Sequence, residues 1–109
     1  MTTVTFLNEE GRIIGFDAVG HADHDEEGED LVCAAVTSTV RLVETIVNDV
    51  MGLCASVKVC EQDATISFRL PGGLSETAEA TCQNVMVGMM VYLAELHDEY
   101  PENIEVLEA

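Results

Sequence analysis

Basic residues are scarce in this chain. Lys and Arg together account for 4 of the 109 residues, against 21 Asp and Glu, so the formal net charge is −17. Proteins that bind nucleic acid present a basic face to the phosphates. The composition therefore excludes nucleic acid as a partner and permits a basic protein partner, which the charge would attract.

Long hydrophobic runs are also missing. The longest uncharged apolar stretch, residues 85–94, has ten residues, whereas a membrane-spanning helix needs about 20. Residues 1–10 contain no Lys or Arg and no apolar core of the signal-peptide type. We therefore expect a cytoplasmic protein without a membrane segment.

Glycine and proline are few, at 8 and 2 residues, while 48% of the chain is apolar. Disordered chains combine high charge with low hydrophobicity, so this composition indicates a folded protein despite its charge. At this length we expect residues 1–109 to form a single domain.

The cysteines do not form a C-x-x-C motif. With no secretory signal, we expect reduced thiols rather than disulfides. The histidines add no recognisable zinc-binding spacing. The residues concerned are Cys33, Cys54, Cys60, Cys82, His21, His24 and His97.

The hydrophobic periodicity predicts an α+β fold in the order β-β-α-β-β-α-β, with two helices packed on a small antiparallel or mixed sheet. Alternating residues predict strands at 4–7 and 12–19, a hairpin over 55–70 and an edge strand at 104–107. Steps of three and four predict a helix over 31–51 that stops at Gly52, and a second helix from the N-cap Ser75 to about residue 98.

These patterns also predict which side chains are buried. In the second strand we expect Ile14, Phe16 and Ala18 on one face. In the first helix the predicted apolar stripe is Val32, Ala35, Thr39, Val43, Ile46 and Val50, and in the second it is Ala78, Cys82, Val85, Met86, Met89, Leu93 and Leu96.

The second predicted helix is apolar on more than one side, since Val87, Met90 and Val91 lie off its main stripe. A helix that is apolar nearly all round is either deeply buried or covered by another subunit. For so small a domain this favours a homodimer.

Residues 20–36 combine a histidine and a cysteine across a strand–loop–helix junction. His21 follows a strand, Gly20 and Gly28 lie in the predicted loop, and Asp30 is the expected N-cap. Counting from Asp30, Cys33 occupies the third helical position, where the helix dipole favours a thiolate. His21 would then take the thiol proton and return it to the leaving amine, and the first helical N–H groups would hold the oxyanion.

Other interpretations of the same segment remain open. A cysteine near a helix start is often a core residue, and Asp30 is an ordinary cap. Residues 23–28 copy the first half of an EF-hand loop, but position twelve is Ala34 where a bidentate Glu is needed. A zinc site from His21, His24 and Cys33 lacks a clear fourth ligand, so we expect no metal.

The string G-H-A…G-E-D-L-V-C-A-A-V at residues 20–36 resembles the ribosomal-processing cysteine protease (Prp) family, in length and element order as well as in the motif. By this resemblance His21 matches the catalytic histidine and Cys33 the nucleophile. Gly20, Gly28 and Asp30 match the loop glycines and the acidic position before the helix. Thr37 stands where the family usually has serine.

The resemblance implies a homodimeric bacterial endopeptidase without metal or cofactor. Such enzymes remove a short N-terminal extension from a large-subunit ribosomal protein, after paired aromatic residues. The competing hypothesis is a non-enzymatic acidic dimer that only binds a basic ribosomal protein. The two differ in whether Cys33 is needed for function.

Overall fold

A computed structural model describes residues 1–20 and 29–109 of the chain. The strands are β1 (Thr2–Glu9), β2 (Arg12–Gly20), β3 (Ser56–Cys60), β4 (Thr65–Arg69) and β5 (Ile104–Glu108). The helices are α1 (Glu29–Glu44), which continues as a π-helical segment (Thr45–Val50), and α2 (Glu76–Glu99). The α+β class is confirmed, and the π-helical segment is an addition that periodicity did not predict.

The strands form one mixed sheet in the order β3-β4-β2-β1-β5. Three of its pairings are antiparallel, and β5 alone runs parallel to its neighbour, β1. The predicted hairpin is β3–β4, and the predicted edge strand is β5. Within the described residues, β3 and β5 are the two outer strands.

Three phenylalanines from neighbouring strands form the centre of the core. Phe6 pairs with Phe16 and Phe16 with Phe68, so all three side chains lie on one face of the sheet. The Phe16 and Phe68 rings stack with centroids 5.1 Å apart. Both helices contribute to the same buried cluster and contact each other, so they cover this face as one layer.

A bulge in the β1–β2 pairing changes which residues of β2 are buried. The register shifts between Leu7 and Asn8, and Ile14 is left without a partner. Ile13 is therefore buried and Ile14 is only half-buried, so the prediction for Ile14 is wrong, whereas Phe16 and Ala18 are buried as expected. The Gln83 side chain of α2 binds the backbone of Ile13, accepting from its N–H and donating to its carbonyl, both at 2.9 Å.

The buried stripe of the first helix also differs from the prediction. Val32 and Val43 are buried as expected, but Ala35, Thr39 and Ile46 are only half-buried and Val50 is 76% exposed. Most of these positions precede the π-helical segment, so the difference reflects which α-helical positions face the sheet. The buried positions missed by the prediction are Val36, Val40 and Val47. Gly52, at φ +71°, ends the segment as predicted.

The second helix follows the prediction closely. The Ser75 hydroxyl accepts a hydrogen bond from the N–H of Ala78 at 3.1 Å, so Ser75 is the N-cap. Five of the seven predicted stripe positions are buried, and Ala78 and Val85 are half-buried. Arg12 anchors the start of α2 by pairing with Glu79 and donating to the carbonyl of Pro71.

Neither α1 nor α2, nor any other helix within residues 1–20 and 29–109, combines the length and apolarity needed to cross a bilayer.

Candidate active site

Cys33 lies on the exposed surface of the N-terminal part of α1. Because the helix begins at Glu29, Asp30 is its second residue and Cys33 its fifth. The predictions that Asp30 is the N-cap and that Cys33 is the third helical residue are therefore wrong.

Cys33 lines a cavity of about 270 Å³ between α1 and one end of the sheet. The floor comes from the ends of β1 and β2, including Ala18, and one wall comes from the β3–β4 hairpin. Val36, one turn beyond Cys33 on α1, is buried and closes the cavity from above. An exposed thiol beside an apolar cavity is placed to attack the backbone of a peptide whose side chain occupies that cavity.

Thr37 is brought to the same place as Cys33. It lies four residues further along α1, so both residues share one face of the helix, and both line the cavity. Thr37 is exposed, which leaves its hydroxyl accessible to a ligand in the cavity.

Gly20 is also placed at the cavity, but as the last residue of β2. The prediction that it belongs to the loop is therefore wrong. Its N–H donates to the carbonyl of Ala64 at 2.8 Å, so the backbone is held in position at the residue before His21. A Cβ at Gly20 would lie 3.8 Å from that oxygen, an ordinary contact.

The hairpin turn that completes the cavity was not predicted as part of the site. Ala64 has a φ of +51°, which is uncommon for a residue with a Cβ, and the turn presents its carbonyl to β2. Glu61 and Ala64 line the cavity although they lie about 30 positions from Cys33 in the sequence. Only the β2–β4 register brings them there, and local periodicity carries no information on that pairing.

Of the remaining predicted site residues, the structure describes Asp30 alone. Asp30 is exposed on the first turn of α1 and does not line the cavity. His21 and Gly28 lie outside the described residues, as does the acidic segment weighed as a calcium loop.

The other cysteines are distinguished by burial. Cys82 lies in the core on α2, where burial and the nearby Glu79 carboxylate raise the pKa of its thiol against the opposing charge of Arg12. Cys54 and Cys60 are exposed. All four cysteines are free thiols.

No group of three or more His, Cys, Asp or Glu side chains within residues 1–20 and 29–109 is placed to hold a metal ion.

Comparison with known proteins identifies the family. The family described as Cysteine protease Prp matches residues 1–105. This chain belongs to the Prp family. The Bacillus subtilis (strain 168) ribosomal processing cysteine protease Prp is 32% identical over 94 residues, which cover 86% of this chain and 84% of that relative. The Staphylococcus aureus (strain Mu50) Prp is 30% identical over 105 residues, covering 92% of this chain and 91% of that relative.

Solved structures of other proteins share the fold of this chain. The crystal structure of the S. aureus ribosomal processing protease Prp in complex with a substrate peptide superposes with a TM-score of 0.84, at 25% identity over 100% of both chains. SMU.848 from Streptococcus mutans has a TM-score of 0.83 at 20% identity, covering 99% of this chain and 93% of that protein. Membership of the Prp family makes this chain a cysteine protease rather than the non-enzymatic binding module considered from its sequence.

Proposed function

We propose that this protein is a cysteine endopeptidase that removes an N-terminal extension from a large-subunit ribosomal protein, with Cys33 as nucleophile and His21 as general base. The observation that carries the proposal is the exposed Cys33 thiol at the mouth of an apolar cavity, in a chain of the Prp family. The other residues assigned to substrate or loop positions are Gly20, Gly28, Asp30 and Thr37.

The proposed reaction is acyl transfer. His21 takes the proton of Cys33, and the thiolate Sγ attacks the scissile carbonyl carbon to form a tetrahedral oxyanion. Collapse of this intermediate breaks the C–N bond as the imidazolium gives its proton to the leaving amine, and it leaves a thioester on Cys33. Water, deprotonated by His21, then hydrolyses the thioester and restores the thiol. N–H groups in the first turn of α1 are the proposed oxyanion donors.

The substrate class is argued from relatives and from charge. The relatives are ribosomal processing proteases, and the S. aureus enzyme was crystallised with a substrate peptide. Ribosomal proteins bind RNA phosphates and are basic, so a chain with a net charge of −17 attracts them. The proposed acyl transfer uses only Cys33, His21 and water, and we propose no cofactor for it.

A synthetic peptide that spans the N-terminal extension of the source organism's ribosomal protein tests the proposal. We expect wild-type protein to cut it once, as read by mass spectrometry, and we expect the KM to rise with ionic strength because the attraction is screened. A scrambled peptide of the same composition is the control. Failure to cut the native peptide at any bond would overturn the proposed function.

We further propose that the protein acts as a homodimer through its helical layer. A groove of about 460 Å³ separates α1 from α2, with Leu42 60% exposed on one side and Tyr92 exposed on the other. Residues 80–94 of α2 carry no charged side chain. Two molecules of charge −17 repel each other least when they meet on an uncharged face, so a second copy is the occupant we assign to this groove.

Light scattering at micromolar concentration is expected to give twice the chain mass of 11.8 kDa. Leu42→Glu places a charge in the groove and is expected to yield a monomer. Leu107→Glu, which adds the same charge on the exposed edge strand β5, is expected to remain dimeric. A wild-type monomer, or dissociation by both variants alike, would contradict this interface.

We also infer that residues 1–109 work as one domain in the cytoplasm. The inference is supported by the single buried cluster shared by the sheet and both helices, and by four free thiols, which suit a reducing compartment.

A further inference from the structure

The cavity beside Cys33 is large enough for a sizeable apolar side chain. Its volume is about 270 Å³, whereas an apolar protein cavity of roughly 150 Å³ already accommodates benzene. Small-ligand pockets are usually larger, at about 300–1,000 Å³. The volume therefore fits a single side chain of a bound peptide up to the size of an aromatic ring with its methylene.

The chemistry of the lining favours an uncharged occupant. Ala18 pairs with Ile66, and Ile66 pairs with Val59. The three side chains therefore lie in one row across the strands, on the helix-facing side of the sheet. All three border the cavity, with Val36 above them. Among the described lining residues, Glu61 alone is charged, and its carboxylate opposes an acidic side chain at the same place.

Val59 forms the outer wall of this row. It lies on β3, an outer strand, and is 63% exposed even though it borders the cavity. The other apolar members of the row lie on inner strands, and Ala18 is buried. A change of size at Val59 therefore alters the width of the cavity without disturbing the core.

We infer that Val59 is the specificity-determining residue of this cavity and limits the size of the apolar substrate side chain that the cavity holds. This inference rests on the proposed function, because it takes Cys33 as the nucleophile that acts on the bound peptide. Cys33 lines the same cavity, so a side chain held there keeps the peptide backbone close to Sγ.

The experiment uses one peptide series that differs only in one residue near the cut: Asp, Ala, Phe or naphthylalanine. Wild-type protein is expected to prefer Phe and to reject Asp. Val59→Trp narrows the cavity and is expected to lower kcat/KM for Phe relative to Ala by about tenfold or more. Val59→Ala widens it and is expected to raise relative cleavage of naphthylalanine.

Ser56→Trp is the matched control. Ser56 lies on the same strand, is exposed and does not border the cavity. Being an odd number of residues from Val59, it lies on the opposite face of the sheet. We expect its side-chain preference to equal that of wild type, and we expect melting temperatures to show that all variants are folded.

Binding of the same series to a Cys33→Ala background separates this inference from the proposed function. One outcome is that wild type cuts none of the peptides, while binding shows a size preference that Val59→Trp removes. That outcome would support the role of Val59 in the cavity and overturn the proposed protease function. Cleavage by wild type with a side-chain preference unchanged in both Val59 variants would overturn the inference alone.

Discussion

Replacing Cys33 with alanine is expected to reduce peptide cleavage by a factor on the order of 10⁶, the loss found when the nucleophile of a hydrolase is removed. The physical reason is that the proposed acyl intermediate forms on the Sγ of Cys33, and alanine has no atom that can replace it. Because Cys33 is exposed, the substitution leaves no hole in the core, and the melting temperature is expected to stay within a few degrees of wild type. Cleavage is measured by mass spectrometry of the peptide products.

Cys54→Ala is the matched control, since Cys54 is an exposed free thiol that does not border the cavity. It is expected to keep full activity. Equal activity in Cys33→Ala and wild type would contradict the nucleophile assignment, and loss of activity in both variants would point to a general need for thiols rather than to Cys33.

His21 is tested in the same assay. His21→Ala removes the proposed base and is expected to lose nearly all cleavage, whereas His24→Ala, a histidine three residues further on, is expected to retain it. Retained activity in His21→Ala with loss in His24→Ala would move the general base to His24.

Gly15→Ala is expected to lower the free energy of unfolding by about 3 kcal/mol, at the upper end of the range for overpacking. A Cβ on Gly15 would lie 2.0 Å from the carbonyl oxygen of Phe68. That oxygen belongs to β4, which pairs with β2, and the Phe68 ring stacks on Phe16 in the core. The methyl group therefore fits only if the two central strands move apart.

Thermal unfolding measures this effect, which corresponds to a fall in melting temperature on the order of 10 °C or more for a domain of this size. Gly20→Ala provides the comparison on the same strand, because its Cβ meets the nearest atom at 3.8 Å, and a change of about 0.5 kcal/mol or less is expected. Similar losses at the two glycines would show that strand propensity, rather than the contact with Phe68, sets the cost.

The parts of the fold that depend on local pattern are predictable from the sequence. Ser75 caps α2 as expected, and the alternation over 55–70 gives the β3–β4 hairpin. The bulge that turns Ile13 inward and the burial of Val47 in place of Val50 are not predictable in this way. Both depend on how the element packs against the rest of the fold, which its local composition does not specify.

The candidate site is likewise predictable only where it depends on local sequence spacing. Cys33 and Thr37 are four residues apart, so their shared helix face follows from the sequence alone. Val59, Glu61 and Ala64 reach the cavity through the pairing of β4 with both β2 and β3. That pairing joins segments far apart in the chain, and a single sequence gives no measure of which strands become neighbours.

The position of Lys58 on the outer strand β3 has a practical consequence for labelling chemistry. It is the only lysine in the sequence, it is exposed, and it directly precedes Val59. Its side chain lies on the sheet face opposite the cavity. Apart from the N-terminal amine, an amine-reactive fluorophore would attach there alone, on the face away from the cavity, so it would mark β3 in a chain that keeps all its cysteines without filling the proposed peptide site.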